Sequence, residues 1–289
     1  MSRVLIVPHQ QRTEAATLAR AASSWLRQRG HQPWLTPQDA DAIDLPDLAA
    51  DTDPTAAELV LSLGGDGTML RSVQLLGGAP VPVIGVNVGL LGYLTEVEPH
   101  AMTDALERFE AGPGPDAGDW SIERRMMVDV DVRRADGRAD ATARALNEGV
   151  LEKLEPGHTV RMMVRIDGAA FTSYAADGLI VATPTGSTAY SLSARGPVVS
   201  PRHRALLLTP VSPHMLFDRS LVLGPDEVVE LEVVGHRPAV LSVDGQRAAT
   251  LDDGDTVTFR ASSADAHFVR FGRNRFHQIL KAKFGLADR

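Results

Sequence analysis

The sequence predicts an α/β N-terminal domain, with a parallel sheet and flanking helices, followed by a β-rich, mainly antiparallel C-terminal domain. Three observations carry that expectation. Strand and helix signals alternate through the first 110 residues. The segment Ala111–Gly118, reading AGPGPDAG, then has the composition of a linker. Beyond it the hydrophobic period becomes two. At 289 residues the chain is long enough for two ordinary domains.

Taken in order, Arg3–Val7 reads as a strand and Thr13–Gln28 as a helix, with Leu18, Ala21, Ala22, Trp25 and Leu26 as its apolar stripe and Gly30 as its stop. A short strand near Trp34 leads into a Pro/Asp-rich loop through Pro54. Leu59–Leu63 is a third strand, ending in Gly64-Gly65, and Met69, Leu70, Val73 and Leu76 follow at helical spacing. The strand Val81–Val86 leads to a loop with Gly85, Gly89 and Gly92, and Met102, Leu106 and Phe109 mark a helix before Gly112.

In the second half, Val128, Val130 and Val132 alternate with charged residues, as do alternate positions over Val160–Ile166 and Val229–Val233. Each predicts a strand with one wet face. Asp-Gly pairs at Asp136, Asp167, Asp244 and Asp253 are expected to be hairpin turns. Ala143–Leu154 is ambiguous, because Leu146, Val150, Leu151 and Leu154 also fit a helix. Arg275–Phe284 predicts a C-terminal helix with late lysines, suited to its C-terminal dipole and placed to pack back on the first domain. The expected domains are therefore 1–118, 119–271 and a returning helix at 272–289.

Composition excludes several functions. With 29 basic and 37 acidic residues the net charge is −8, which offers no general attraction to nucleic acid or an anionic membrane. The absence of cysteine removes disulfides, thiol catalysis and cysteine-bound metal, and suits a reducing, cytoplasmic setting. Val4–Val7 is too short for a signal-peptide core. The longest uncharged run, Ser72–Thr95, contains glycines, two prolines, Gln74 and Asn87, so it reads as a helix end, a turn and a strand instead of a membrane span.

Two further Asp-Gly pairs fall where hairpins do not. In Leu59–Thr68 (LVLSLGGDGT) a strand enters a glycine turn and then a helix, a geometry whose backbone amides favour phosphate. Neither common phosphate fingerprint fits, since Leu70 stands at the third Rossmann position and no P-loop lysine follows. A carboxylate at Asp66 would repel phosphate unless it holds a cation or accepts a proton during phosphoryl transfer. In Asp177–Tyr190 (DGLIVATPTGSTAY), Thr183, Thr185, Ser187 and Thr188 offer hydroxyls, Gly186 allows close approach and Tyr190 offers a ring to stack.

Together these segments resemble the NAD kinase family. The resemblance rests on Gly64–Thr68, Asn147-Glu148, Asp177–Ser193 and Ser242–Gln246, with Val83–Leu94 between, and spans nearly the whole chain. It implies transfer of the ATP γ-phosphoryl group to the 2′-hydroxyl of the adenosine ribose of NAD, giving NADP and ADP. A divalent metal, expected to be Mg, a site between the two domains and a homodimer or homotetramer are implied with it. Position by position, Asp66 matches the proton acceptor, Gly67 the close-approach glycine and Arg71, on the first turn of the following helix, a basic position near the phosphates. Asn147 and Glu148 match the dinucleotide-binding pair, which turns Ala143–Leu154 into strand and loop. Asp177, Thr188, Ala189, Tyr190, Ser191, Leu192, Ser193 and Gln246 match further dinucleotide contacts. His158 stands where relatives carry variable basic or polar residues. The chain departs from some relatives at Ala175, which lacks their basic side chain.

A lipid kinase shares the glycine motif but usually continues Gly-Thr-Gly-Asn-Asp, where this chain has Gly85–Gly92 (GVNVGLLG). A silent NAD-binding sensor is the alternative from another class, which the intact Asp66 disfavours. ATP alone or inorganic polyphosphate as donor, NAD or NADH as acceptor, and the residues holding any metal stay open at this level.

Overall fold

The computed structural model describes residues 1–272 and 276–286. The chain folds as two compact units, Met1–Arg124 with Ala266–Arg289, and Arg125–Asp265.

The first unit is built on β1 (Arg3–Pro8), α1 (Thr13–Gln28), β2 (Gln32–Trp34), α2 (Pro37–Ala42), β3 (Leu59–Gly64), α3 (Asp66–Leu76), β4 (Pro82–Asn87) and α4 (Met102–Glu110). Its strands run β2-β1-β3-β4, every pair parallel. β1 and β3 are continuous apolar runs because helices cover both faces of a parallel sheet. In α1 the buried face is Ala15, Ala19, Ala22, Ser23 and Leu26. Ala21, expected on the stripe, is exposed, since the small residues let the helix rotate its alanine edge onto the sheet. α2 forms inside the stretch expected to be loop. Thr36 caps it by accepting the Asp39 N–H at 3.2 Å, and Pro37 stands at its first turn, where no N–H is missed. Ser72–Thr95 is the end of α3, a turn, β4 and a loop, and no helix among the described residues is long and apolar enough to cross a membrane.

The second unit carries β5 (Ser121–Arg133, entering from the first unit), β6 (Ala139–Ala145), β7 (Glu148–Lys153), β8 (Val160–Ile166), β9 (Ala169–Ala176) and β10 (Gly178–Ala182). After the short helix α5 (Tyr190–Ser193) come β11 (Leu206–Val211), β12 (Leu221–Leu223), β13 (Val229–Val233), β14 (Ala239–Val243), β15 (Gln246–Leu251) and β16 (Thr256–Arg270). One antiparallel sheet runs β12-β11-β10-β7-β14-β15. The other pairings run β9-β8-β13-β16, with β5 on β16 and β6 on β5. Alternate residues of both sets, among them Val130, Val164, Leu151, Val181, Leu241 and Phe259, form one core. Asp167-Gly168 and Asp244-Gly245 are two-residue hairpin turns with positive φ at both positions, and Asp136-Gly137 closes the β5–β6 hairpin. Asp253-Gly254 is not a hairpin: it hands the chain from β15 in one sheet to β16 in the other.

α6 (Phe276–Lys283) belongs with the first unit. Phe276 is buried beside Tyr93, ring centroids 6.3 Å apart, and the Lys283 ammonium lies 4.6 Å from the Tyr93 ring centre. Arg275, expected to open this helix, lies outside the described residues.

Candidate active site

In the first unit β3 ends at Gly64 and the chain turns through Gly65 into α3, whose first residue is Asp66. A Cβ at Gly64 would stand 2.1 Å from the Thr68 hydroxyl, so only glycine lets the helix start this close to the strand. Gly67 is exposed, and the first N–H groups of α3 add the positive end of its dipole. The Asp66 carboxylate is oriented by the loop after β4: Oδ2 accepts the Tyr93 N–H and Oδ1 the Leu94 N–H, both at 2.9 Å. Gly92 makes that approach possible, because a Cβ there would fall 2.2 Å from Oδ1. Burial and then the Asp66 charge raise the Tyr93 phenol above its ordinary pKa.

Arg71 lies on the second turn of α3, one turn later than expected. Its Nη1 donates to Oδ1 of the fully buried Asp39 at 2.5 Å and its Nη2 to the Pro8 carbonyl at 2.5 Å. It still lines an open cleft of about 400 Å³ with Gly65, Gly67 and Thr68.

In the second unit, Leu146-Asn147 bends the chain between β6 and β7. The Asp244 carboxylate accepts the backbone N–H groups of Leu146, Asn147 and Glu148 at 2.8, 2.8 and 3.1 Å. From the other side the Thr183 N–H donates to the Asn147 carbonyl at 2.8 Å, and a Cβ at Gly186 would meet that carbonyl at 2.1 Å. Glu148 is 7% exposed, and its Oε2 is buried with no hydrogen-bond partner. Its pKa is pushed up to about 8, first by burial and then by the Asp244 charge, against a hydrogen bond from the Tyr190 backbone. Burial, and then the nearby Glu152, Asp177 and Glu148 carboxylates, raise the Tyr190 phenol. Asn147, Glu148, Asp177 and Tyr190 are thus brought to one region.

Asp177 is tied to Lys153 at 2.6 Å. The hydroxyls expected to face a ligand are largely engaged inside the loop. Thr183 Oγ1 donates to the Leu146 carbonyl at 2.6 Å, Ser187 Oγ to the Pro184 carbonyl at 2.7 Å, and Thr188 Oγ1 to the Thr185 carbonyl at 3.2 Å. Ser191 is fully buried, its hydroxyl 3.1 Å from that of Thr209. A loop folded over the end of a strand leaves backbone groups unpaired, and short hydroxyls satisfy them at least distance. Ala189 and Leu192 are half-buried, while Ser193, Gln246 and His158 are exposed, His158 in the loop after β7. The Ala175 carbonyl accepts the His214 N–H at 2.8 Å. Residue patterns gave Asp244 only a turn, and Asp39 and Arg12 no role. The capping sequence Thr36–Asp39 was the one local signal for Asp39.

Among the described residues no three His, Asp or Glu side chains converge to hold a metal. Asp66 keeps a lone pair on each oxygen beyond its amide bonds, a donor set suited to an ion that arrives with phosphate oxygens.

A parallel α/β unit carrying a glycine turn with an oriented carboxylate, and a β-rich unit carrying a half-buried Asn147 beside a buried Glu148, make up the two-domain NAD kinase fold. The family described as "ATP-NAD kinase N-terminal domain" matches residues 4–113, and that described as "ATP-NAD kinase C-terminal domain" matches 146–271. The NAD kinase of Heliobacterium modesticaldum is 40% identical over 286 residues, covering 98% of each chain. NAD kinase 1 of Streptomyces avermitilis is 37% identical, covering all of this chain and 88% of its own. The chain belongs to the NAD kinase family. Yeast NADH kinase complexed with NADH superposes with a TM-score of 0.89 over 100% of this chain and 89% of its own. An Archaeoglobus fulgidus NAD kinase in complex with ATP superposes at 0.70 over 99% of each. Both are 24% identical and share the fold.

Proposed function

We propose that this chain transfers the γ-phosphoryl group of ATP to the 2′-hydroxyl of the adenosine ribose of NAD, releasing NADP and ADP. The observation that carries the residue-level reading is Asp66, held by the Tyr93 and Leu94 amides at the N-terminus of α3 beside an exposed Gly67. A ribose hydroxyl is a weak nucleophile at neutral pH. A fixed carboxylate accepts its proton as the O2′–P bond forms, while the P–O bond to ADP breaks and its electron pair leaves on the ADP oxygen.

Asn147 and Glu148 then bind NAD. Asn supplies a donor and an acceptor for ribose hydroxyls and adenine, and the unpartnered Glu148 Oε2 awaits a hydroxyl or amide. Asp177, Thr188, Ala189, Tyr190, Ser191, Leu192, Ser193, Gln246 and His158 complete the dinucleotide contacts in this reading, with Ser191 contributing through its backbone. Residues 1–118 carry the phosphoryl chemistry, 119–271 the dinucleotide, and 272–289 return to the first domain. Mg, when bound with the phosphates beside Asp66, neutralises their charge. Inorganic polyphosphate is a second donor in this reading. The reaction belongs in the cytoplasm, with small-molecule partners and no nucleic acid or membrane.

A homodimer or homotetramer is part of the proposal. Phe171 and Phe217 stack edge to face at 5.9 Å, and the neighbouring Leu216 is wholly exposed, an apolar patch suited to a second copy. Light scattering of the purified chain tests it, and a monomer at micromolar concentration overturns it.

The activity is tested by incubating the protein with Mg-ATP and NAD, NADH, diacylglycerol or fructose 6-phosphate separately, then identifying the phosphorylated product. NADP is expected from NAD. Product from the lipid or sugar alone overturns the reading.

A further inference from the structure

The cleft beside α3 has a wall that the glycine motif does not supply. The loop between β1 and α1 faces Gly65, Gly67, Thr68 and Arg71, and presents His9 and the cationic Arg12 there. Among the described residues no carboxylate lines the cleft, although the chain carries a net charge of −8. Such a lining attracts an anion.

Both arginines are braced. Arg12 Nη1 donates to the Val88 carbonyl at 2.7 Å, and its guanidinium lies against Gly89. Gly89 has φ +120°, and a Cβ there would stand 2.0 Å from Arg12 Nη1. The backbone conformation favours glycine opposite Arg12, and a side chain there would push the guanidinium from its present place. Arg71 is braced by Asp39, which is fully buried on α2 and also accepts the Gln10 side-chain amide at 2.9 Å. Asp39 thus ties both walls of the cleft, the β1–α1 loop through Gln10 and α3 through Arg71. Its second oxygen is buried without a hydrogen bond. A carboxylate so placed gains less for stability than a well-packed apolar residue would, so its consequence is orientation. A guanidinium has five N–H donors, and these contacts use one on Arg12 and two on Arg71.

We infer that Arg12 binds the phosphate chain of the phosphoryl donor in this cleft, and that Asp39 is the positioning residue that aims Arg71 at the same chain. The ligand chemistry is a linear chain of phosphates, whether borne by a nucleoside or free. Guanidinium pairs recognise such oxyanions bidentately. As an account of catalysis this rests on the kinase reading above; as an anion site it stands on the cleft alone.

The test uses the full chain with Arg12→Gln, Asp39→Asn and wild type, measuring NADP formation and, by calorimetry without NAD, the binding of ATP and of inorganic tripolyphosphate. Arg12 is an exposed side chain, so its variant keeps the inference testable if Asp39→Asn fails to fold. Arg12→Gln should weaken ATP and tripolyphosphate alike by about tenfold, and raise the KM for ATP by a similar factor while the KM for NAD stays within about twofold. Asp39→Asn should show the same split, which general loosening of the fold would not produce. Unchanged tripolyphosphate binding in Arg12→Gln overturns the inference, as does a loss confined to ATP, since Arg12 would then read the nucleoside. If wild type makes no NADP, the kinase reading falls, while the tripolyphosphate arm still decides the cleft.

Discussion

The Asp244 carboxylate holds the backbone N–H of Asn147 at 2.8 Å across 97 residues of chain, and takes the amides of Leu146 and Glu148 as well. The turn between β14 and β15 therefore acts as a clamp on the start of β7. Asp244→Asn leaves one acceptor oxygen for three donors and turns an NH2 group among them. The variant should lose about 1–3 kcal/mol of unfolding stability and raise the KM for NAD. Denaturant unfolding and steady-state kinetics check this. Native stability together with a native KM would reduce Asp244 to a turn residue.

The raised pKa of Glu148 sets a pH dependence whose sign is opposite to that of an ordinary ion-paired carboxylate. Between the ordinary carboxyl value of 4.5 and about 8 the folded chain keeps a proton that the unfolded chain has lost. Stability from this group is therefore full at low pH and declines as pH rises through that window, by an amount of the order of a few kcal/mol. Asp244, also raised by burial, acts in the same direction. Glu148→Gln removes the titration, so its stability should be flatter from about pH 6 to 9 and should exceed that of the wild type at the alkaline end. Parallel pH profiles for the two proteins, followed by thermal unfolding, would rule out the buried acid.

Asp66→Asn keeps shape and loses basicity. Turnover should fall about 10²–10⁴-fold with NAD binding largely retained. Near-native turnover would leave Asp66 as a turn residue, and activity restored by raised Mg would favour an electrostatic role over that of a base.

Gly92→Ala tests the orientation of Asp66 without touching its charge. The new methyl would fall 2.2 Å from Oδ1, so either the carboxylate or the Tyr93-Leu94 loop must shift. Displacement of about 1 Å costs a catalytic group on the order of 10²-fold in rate. Kinetics with a circular dichroism spectrum check it, the expected result being low turnover on an unchanged fold.

Local pattern determined a good deal of this protein. The change of period near residue 118, the αβ alternation before it, and the Asp-Gly turns at Asp136, Asp167 and Asp244 are short-range facts, because helix and strand periods and positive-φ turns are settled within a few residues. The glycine motif likewise fixed where α3 would begin. Tertiary structure decided the rest. Ala143–Leu154 fits two periods, and pairing of β7 with β10 and β14 made it strand. Thr183, Ser187 and Ser191 look the same in sequence whether they face a ligand or a backbone carbonyl. Only the folded loop shows them turned inward. Asp39 and Asp244 became anchors through partners 32 and 97 residues away, and Glu148 became a buried acid through its own burial and the nearby Asp244 charge. Burial and long-range hydrogen bonds belong to the assembled chain, so no window of sequence contains them.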